Sequence, residues 1–154
     1  MKLYLLQQVF TIGEKFIVYD ESEAERYYIE AELFSFGKKL HVYNIHDEEV
    51  ALIHQRPFSL PPTFTVTRGG TSLATIFKEF TLFRQAYTVE GPDWQVEGNF
   101  FDHEYTISKG DAVIATVNKE WFTFGDSYEI NVKDARDEVV ALATALVIDV
   151  VLAD

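Results

Sequence analysis

The sequence predicts a mainly β protein: a closed twelve-stranded antiparallel barrel of six hairpins around a central hydrophobic C-terminal helix. Three observations predict it. The first is an internal repeat: residues 50–66, 73–89 and 114–130, each 17 positions long, align without gaps. Ala51, Ala74 and Ala115 coincide, then Ile53, Ile76 and Val117, then Leu60, Phe83 and Phe124, then Phe64, Tyr87 and Tyr128. The second is period-two alternation of apolar and polar residues inside each copy, the mark of half-buried strands. The third is the terminal run from Val139 to Ala153, in which only Thr144 and Asp149 are not apolar.

Taken in order, the copies fill the chain. Leu5, Val9, Ile12, Gly13, Phe16 and Val18 open the pattern, and Ile29, Leu33, Phe36, Gly37, Leu40 and Val42 repeat it. A shorter copy over Val96–Ile107 fits with a two-residue deletion, so six units start near Leu5, Ile29, Ile53, Ile76, Val96 and Val117. Each reads as a hairpin. In the last, Val113, Ala115 and Val117 face one way and Ile114, Thr116 and Asn118 the other; Tyr128, Ile130 and Val132 then alternate with Glu129, Asn131 and Lys133. The turn between arms carries Gly13, Gly37, Pro61 or Gly125. Glycine suits a positive φ there, and proline predicts that the turn type is not uniform. Polar turns at 20–25, 44–49, 68–70, 90–93 and 109–111 separate the units. Strands over about 2–133 and a helix over about 137–152 make residues 1–154 one domain.

The terminal run is apolar on every side, and such a helix must be surrounded. Asp134 and Asp137 stand ahead of it as candidate N-caps, and Val139, Leu142, Leu146, Ile148 and Val150 are its core side chains. About 15 residues span ~22 Å, short of the ~30 Å of a bilayer core, so no transmembrane segment is expected. Closing the sheet removes its edges, and twelve strands enclose space between that of a filled eight-stranded barrel and a sixteen-stranded channel. A helix of ~10 Å diameter fits that space. Ala51, Ala74 and Ala115 then face inward, where small side chains admit it.

Composition narrows the function. The chain has 154 residues, 47% of them hydrophobic and 15% aromatic, with no cysteine and a formal charge of -12. Disulfides and thiolate metal sites are excluded. The acidic balance repels phosphate backbones, so nucleic acid is not an expected partner and anionic lipid surfaces are disfavoured. The first residues hold no signal-peptide core, which makes the cytoplasm the expected location.

The segments Phe34–Tyr43, Val96–Ile107, Lys119–Ile130 and Ala143–Asp154 also resemble the LURP-one-related family, in particular its short bacterial members. The resemblance runs over essentially the whole chain and rests on an aromatic-x-x-Gly-Asp-x-Tyr unit and a helix ending in Ile-Asp-x-Val-Leu. It implies a fold similar to the tubby C-terminal domain and the phospholipid scramblases, a twelve-stranded barrel around a hydrophobic helix. It implies no catalytic residues. Tubby domains hold phosphoinositides with clustered Lys and Arg. The nearest counterpart in this chain is Lys38–Lys39, with scattered Lys15, Arg56, Arg84 and Lys119.

Few residues carry chemistry. Asp102, His103 and Glu104 form the most reactive-looking cluster, because a histidine between carboxylates can act as a base or bind a metal. They fall at a predicted hairpin turn, where a solvated polar turn is the expectation. His41, His46, His54 and His103 show no HxH or HExxH spacing, so no metal site is expected. Trp94, Trp121, Tyr27, Tyr28 and Tyr43 read as barrel wall. Asp149 is the odd residue in the helix: a buried carboxylate needs a partner, and near a helix C-terminus the macrodipole opposes it. Either it lies at the barrel mouth or a Tyr, Lys or Arg satisfies it, or it marks a polar pocket at one end of the barrel. The leading functional reading is a non-enzymatic binding or regulatory module without cofactor, its ligand a small molecule, a protein or a phospholipid headgroup. The alternative is a small enzyme with a site at the barrel mouth near Asp102 and His103.

Overall fold

Twelve strands follow one another round the barrel: β1 (Lys2–Leu6), β2 (Lys15–Asp20), β3 (Glu25–Phe34), β4 (Gly37–Asn44), β5 (Glu49–Gln55) and β6 (Thr63–Arg68). They continue as β7 (Thr71–Glu79), β8 (Ala86–Glu90), β9 (Trp94–Asn99), β10 (Glu104–Lys109), β11 (Ala112–Phe122) and β12 (Gly125–Val132). Each pairs antiparallel with its neighbours in sequence, and β1 closes on β12 with Leu3 opposite Ile130 and Leu5 opposite Tyr128. The structure, a computed structural model, describes residues 1–6, 15–34, 37–79, 85–122 and 125–153. Val9, Ile12, Gly13, Phe36, Phe83, Arg84 and Phe124 lie outside the described residues.

Alternation along the strands builds the interior. Ile29 and Ala31 of β3 stand opposite Val42 and Leu40 of β4, all buried, and the same pattern holds for Phe64 and Val66 of β6 against Ile76 and Ala74 of β7. Register shifts recur at one repeat position, after Val18, Val42, Val66 and Ile107. The last of these corrects one expectation. Ile107 pairs with Ala115 but Ser108 with Val113, so the extra residue turns Val113 outward, where it is 42% exposed.

A short 3-10 turn (Ala135–Asp137) leads from β12 into helix α1 (Glu138–Leu152). Asp134 caps the 3-10 turn, its carboxylate accepting from the Arg136 backbone N–H at 3.0 Å. Asp137 is the N-cap of α1 but makes no side-chain capping bond. Every residue from Ala141 to Ile148 is buried; that run exceeds two turns, so the wall covers all faces of the helix. Leu142, Leu146, Ile148 and Val150 are buried, while Val139 is partly buried against the core. The helix packs on β5, β6, β7, β11 and β12, and Ala51, Ala74 and Ala115 are buried on three of those strands. The buried Thr144 hydroxyl is satisfied within the helix, donating to the Val140 carbonyl at 2.8 Å. Among the described residues, no helix is long and apolar enough to cross a membrane.

The up-and-down order gives the barrel two ends. Connections from odd to even strands gather at one, and those from even to odd at the other. Because α1 follows β12, it enters at the even-to-odd end and brings Asp149 to the odd-to-even end.

Candidate functional site

Asp149 sits one turn before the helix terminus. Its Oδ1 lies 3.0 Å from His103 Nε2, and its Oδ2 accepts a hydrogen bond from the Tyr128 hydroxyl. A carboxylate only accepts, so His103 presents Nε2–H to it. The imidazole stacks on the Tyr128 ring with centroids 4.5 Å apart. The Asp149 side chain keeps 15% of its surface exposed, so solvent reaches the edge of the carboxylate.

The turn between β9 and β10 delivers His103. Asn99 and Asp102 clasp it: the Asp102 backbone N–H donates to Asn99 Oδ1 at 3.1 Å, and Asn99 Nδ2 donates to Asp102 Oδ2 at 2.7 Å. The His103 N–H donates to the Phe100 carbonyl at 3.2 Å, with His103 itself at φ 51°. Positive φ is uncommon for a side chain of this size, though histidine is among the residues enriched there. The sequence-based expectation of a wholly solvated turn is therefore corrected: Asp102 and Glu104 are exposed, but His103 is buried and aimed at the helix. The three neighbours do not form one site. Asp102 shapes the turn, His103 enters the barrel end, and Glu104 opens β10.

Tyrosines surround the carboxylate. Tyr87, Tyr105 and Tyr128 lie on the inner faces of β8, β10 and β12, and all are buried. Phe100 packs between two of them, 5.0 Å edge-on to Tyr87 and 5.1 Å from Tyr105. Burial, and then the negative charge of Asp149, push the Tyr87 hydroxyl up to about 12 and those of Tyr105 and Tyr128 well above the usual tyrosine range. The hydroxyl of Tyr105 is buried without a hydrogen-bond partner among the described residues. Gly98 makes room for the Tyr105 main chain and Cβ. Directly opposite Tyr105, at φ 144°, Gly98 could gain a Cβ only by placing it 2.5 Å from the Glu104 carbonyl and 2.7 Å from Tyr105 Cβ.

Lys38 and Lys39 begin β4 at the same end but point apart. Lys38 shares the inner face with Leu40 and Val42, and burial lowers its pKa; Lys39 lies on the outer face opposite Glu32 and His54. β4 stands halfway round the strand order from β10, which follows the turn of His103.

The other end of α1 holds a group that sequence reasoning passed over. Glu138 is buried, taking Arg26 Nε at 2.5 Å and Nη2 at 3.0 Å on its two oxygens, and the Tyr27 hydroxyl at 3.0 Å. An acid in the first turn suits the positive end of the helix dipole. Burial and then Glu138 raise the Tyr27 hydroxyl to about 12, and the bond to Glu138 raises Arg26 further above its ordinary value. The helix is thus fastened at both ends, 11 residues apart, by carboxylates to wall tyrosines.

The LURP-one-related family model matches residues 1–149. The uncharacterized protein YxjI of Bacillus subtilis (strain 168) is 28% identical over 152 residues, covering 99% of this chain and 94% of that protein. An X-ray structure of an Arabidopsis thaliana protein superposes with a TM-score of 0.61 at 15% identity, covering 97% of this chain and 91% of the other, a likeness of fold alone.

Proposed function

The chain belongs to the LURP-one-related family, and we propose that it is a non-enzymatic binding or regulatory module whose ligand meets the barrel end around Asp149. One observation carries this reading. An otherwise apolar core helix retains a carboxylate at its dipole-disfavoured end, and the wall supplies His103 and Tyr128 to hold it while leaving one edge open to solvent. A leucine there would need no such arrangement, because buried charge is costlier to hold than well-packed apolar volume.

Native mass spectrometry of freshly purified full-length protein tests the reading. The wild type is expected to carry a co-purified mass that Asp149→Asn releases; identical bare masses and identical ligand responses for the two proteins would contradict it. A phospholipid headgroup is one candidate ligand, by the tubby-like analogy, with Lys38 and Lys39 as the nearest basic pair. The charge of -12 works against it. Absence of binding to phosphoinositide-containing vesicles at low salt removes that version. The proposed setting is cytoplasmic.

The His103–Asp149 contact favours a second reading, a small enzyme in which the carboxylate orients the imidazole as a general base. An unaltered cellular phenotype in His103→Ala would count heavily against it.

A further inference from the structure

We propose that the turn between β5 and β6 docks on an anionic lipid bilayer, with Phe58 and Leu60 entering its interfacial layer and Arg56 meeting lipid phosphate. The proposal goes beyond the reading of Asp149 as a ligand site and does not depend on it.

Three features of this turn carry the proposal. The first is exposure. Phe58 is 93% exposed and Leu60 83%, two bulky apolar side chains flanking Ser59. Burying either one is favourable, so holding both in water is a cost that contact removes. The second is the backbone. Phe58 sits at φ 59°, an unfavourable conformation for a bulky side chain, and the turn is fixed around it. The Ser59 hydroxyl donates to the Arg56 carbonyl at 2.9 Å and accepts from the Thr63 N–H at 3.0 Å. The Thr63 hydroxyl donates to the Pro61 carbonyl at 3.0 Å, and the Arg56 N–H donates to the Thr63 carbonyl at 2.8 Å. The third is charge. Between Glu49 and Glu79 the chain has no Asp or Glu, although it holds 25 in 154 residues, and Arg56 is exposed close to Phe58. Glu79 is engaged with β8, its carboxylate accepting from the Thr88 hydroxyl. The acidic turns at 20–25, 44–49 and 90–93 lie at the opposite end of the barrel. The 6 residues of β6 span ~20 Å, about two screening lengths at physiological salt, so the charge near the turn governs its contacts. A second copy docked turn to turn would set Arg56 against Arg56. A bilayer with anionic headgroups offers phosphate to the arginine and hydrocarbon to both side chains, and its fluid surface needs no matching pocket.

Co-sedimentation of the full chain with phosphatidylcholine vesicles, with and without phosphatidylglycerol, tests this at neutral pH. The wild type is expected to bind the mixed vesicles more tightly than phosphatidylcholine alone. Phe58→Gly and Leu60→Ser are each expected to weaken binding to the mixed vesicles by about tenfold or more. Glycine suits the positive φ at position 58, so Phe58→Gly keeps the fold and keeps the test readable. Arg56→Glu is expected to abolish the preference for phosphatidylglycerol. A Phe58→Trp protein supplies a direct readout: its emission is expected to shift to the blue on mixed vesicles and to be quenched by lipids brominated on their acyl chains. No binding of the wild type to mixed vesicles, or equal binding by wild type and Phe58→Gly, overturns the proposal. So does Phe58→Trp emission that the vesicles leave unmoved. Analytical ultracentrifugation without lipid covers the other occupant. A monomer at all concentrations agrees with the proposal, whereas self-association that Phe58→Gly abolishes overturns it and assigns the turn to a second copy of this chain.

Discussion

Tyr105 carries a hydroxyl that the fold buries and leaves without a partner among the described residues, and that costs stability. Tyr105→Phe is therefore predicted to raise the unfolding free energy of protein refolded from urea by about 1–3 kcal/mol, read from the denaturation midpoint. Asp149→Leu has the opposite sign. It removes a charge from the wrong end of a helix but strands the Tyr128 hydroxyl and the His103 N–H, a net loss of about 1–3 kcal/mol. Adding Tyr128→Phe to Asp149→Leu recovers part of that loss, and a double-mutant cycle measures it. A third residue sets a pH dependence. His41 lies 3.0 Å from Glu49 and 3.4 Å from Glu32 on the outer wall. Burial lowers its proton affinity, but the bonds to Glu49 and Glu32 outweigh that, and its net pKa is raised above 6.5. A raised folded-state pKa gives stability that is fully present below the unfolded value and lost as pH rises through the folded one. His41→Gln should thus cost most near about pH 6 and least above about pH 8, as followed by urea unfolding at each pH. Asp149 was legible as a residue in need of a partner, because one acid in an apolar run stands out. His103 was not: neighbouring Asp102 and Glu104 make the triplet look solvated, and only the positive φ of the turn sends the imidazole inward. A signal for the tyrosines was present. Phe16, Leu40, Phe64, Tyr87, Tyr105 and Tyr128 occupy one repeat position, and the change to tyrosine in the last three hairpins marks the side of the barrel that answers Asp149.

At the scale of elements, the β9–β10 hairpin depends on Gly98. Its φ of 144° and the near contact with the Glu104 carbonyl leave no room for a side chain. Gly98→Ala is predicted to destabilise by at least about 1–3 kcal/mol and to disturb Tyr105, visible as altered near-ultraviolet circular dichroism. Helix α1 was readable in sequence because its apolar character has no polar stripe, and its bounds fall within a residue of those expected. The Glu138–Arg26 pair was not readable, because its partners lie 112 residues apart and nothing local distinguishes Arg26 from a surface cation. Arg26→Ala leaves a buried carboxylate with only Tyr27. Since Arg26 is 37% exposed, the expected loss is about 1–3 kcal/mol, below the 3–5 of a fully buried pair.

For the whole molecule, the twelve-strand order followed from repeat and alternation together: the repeat counted the hairpins, and the need to surround an apolar helix required closure. What the repeat could not supply was the local resetting of register. The shift after Ile107 turns Val113 outward, and no residue type in that stretch announces it. The central claim is that the helix is the core and the wall is built on it, gripping the segment from Ala141 to Ile148 on every face. Amide hydrogen exchange in the native protein tests this most directly. The account predicts that amides within 142–148 exchange only by global unfolding, as slowly as the slowest strand amides and with the same free energy as urea denaturation. Exchange of those amides through a local opening, well below the global unfolding free energy and ahead of the strands, would contradict it.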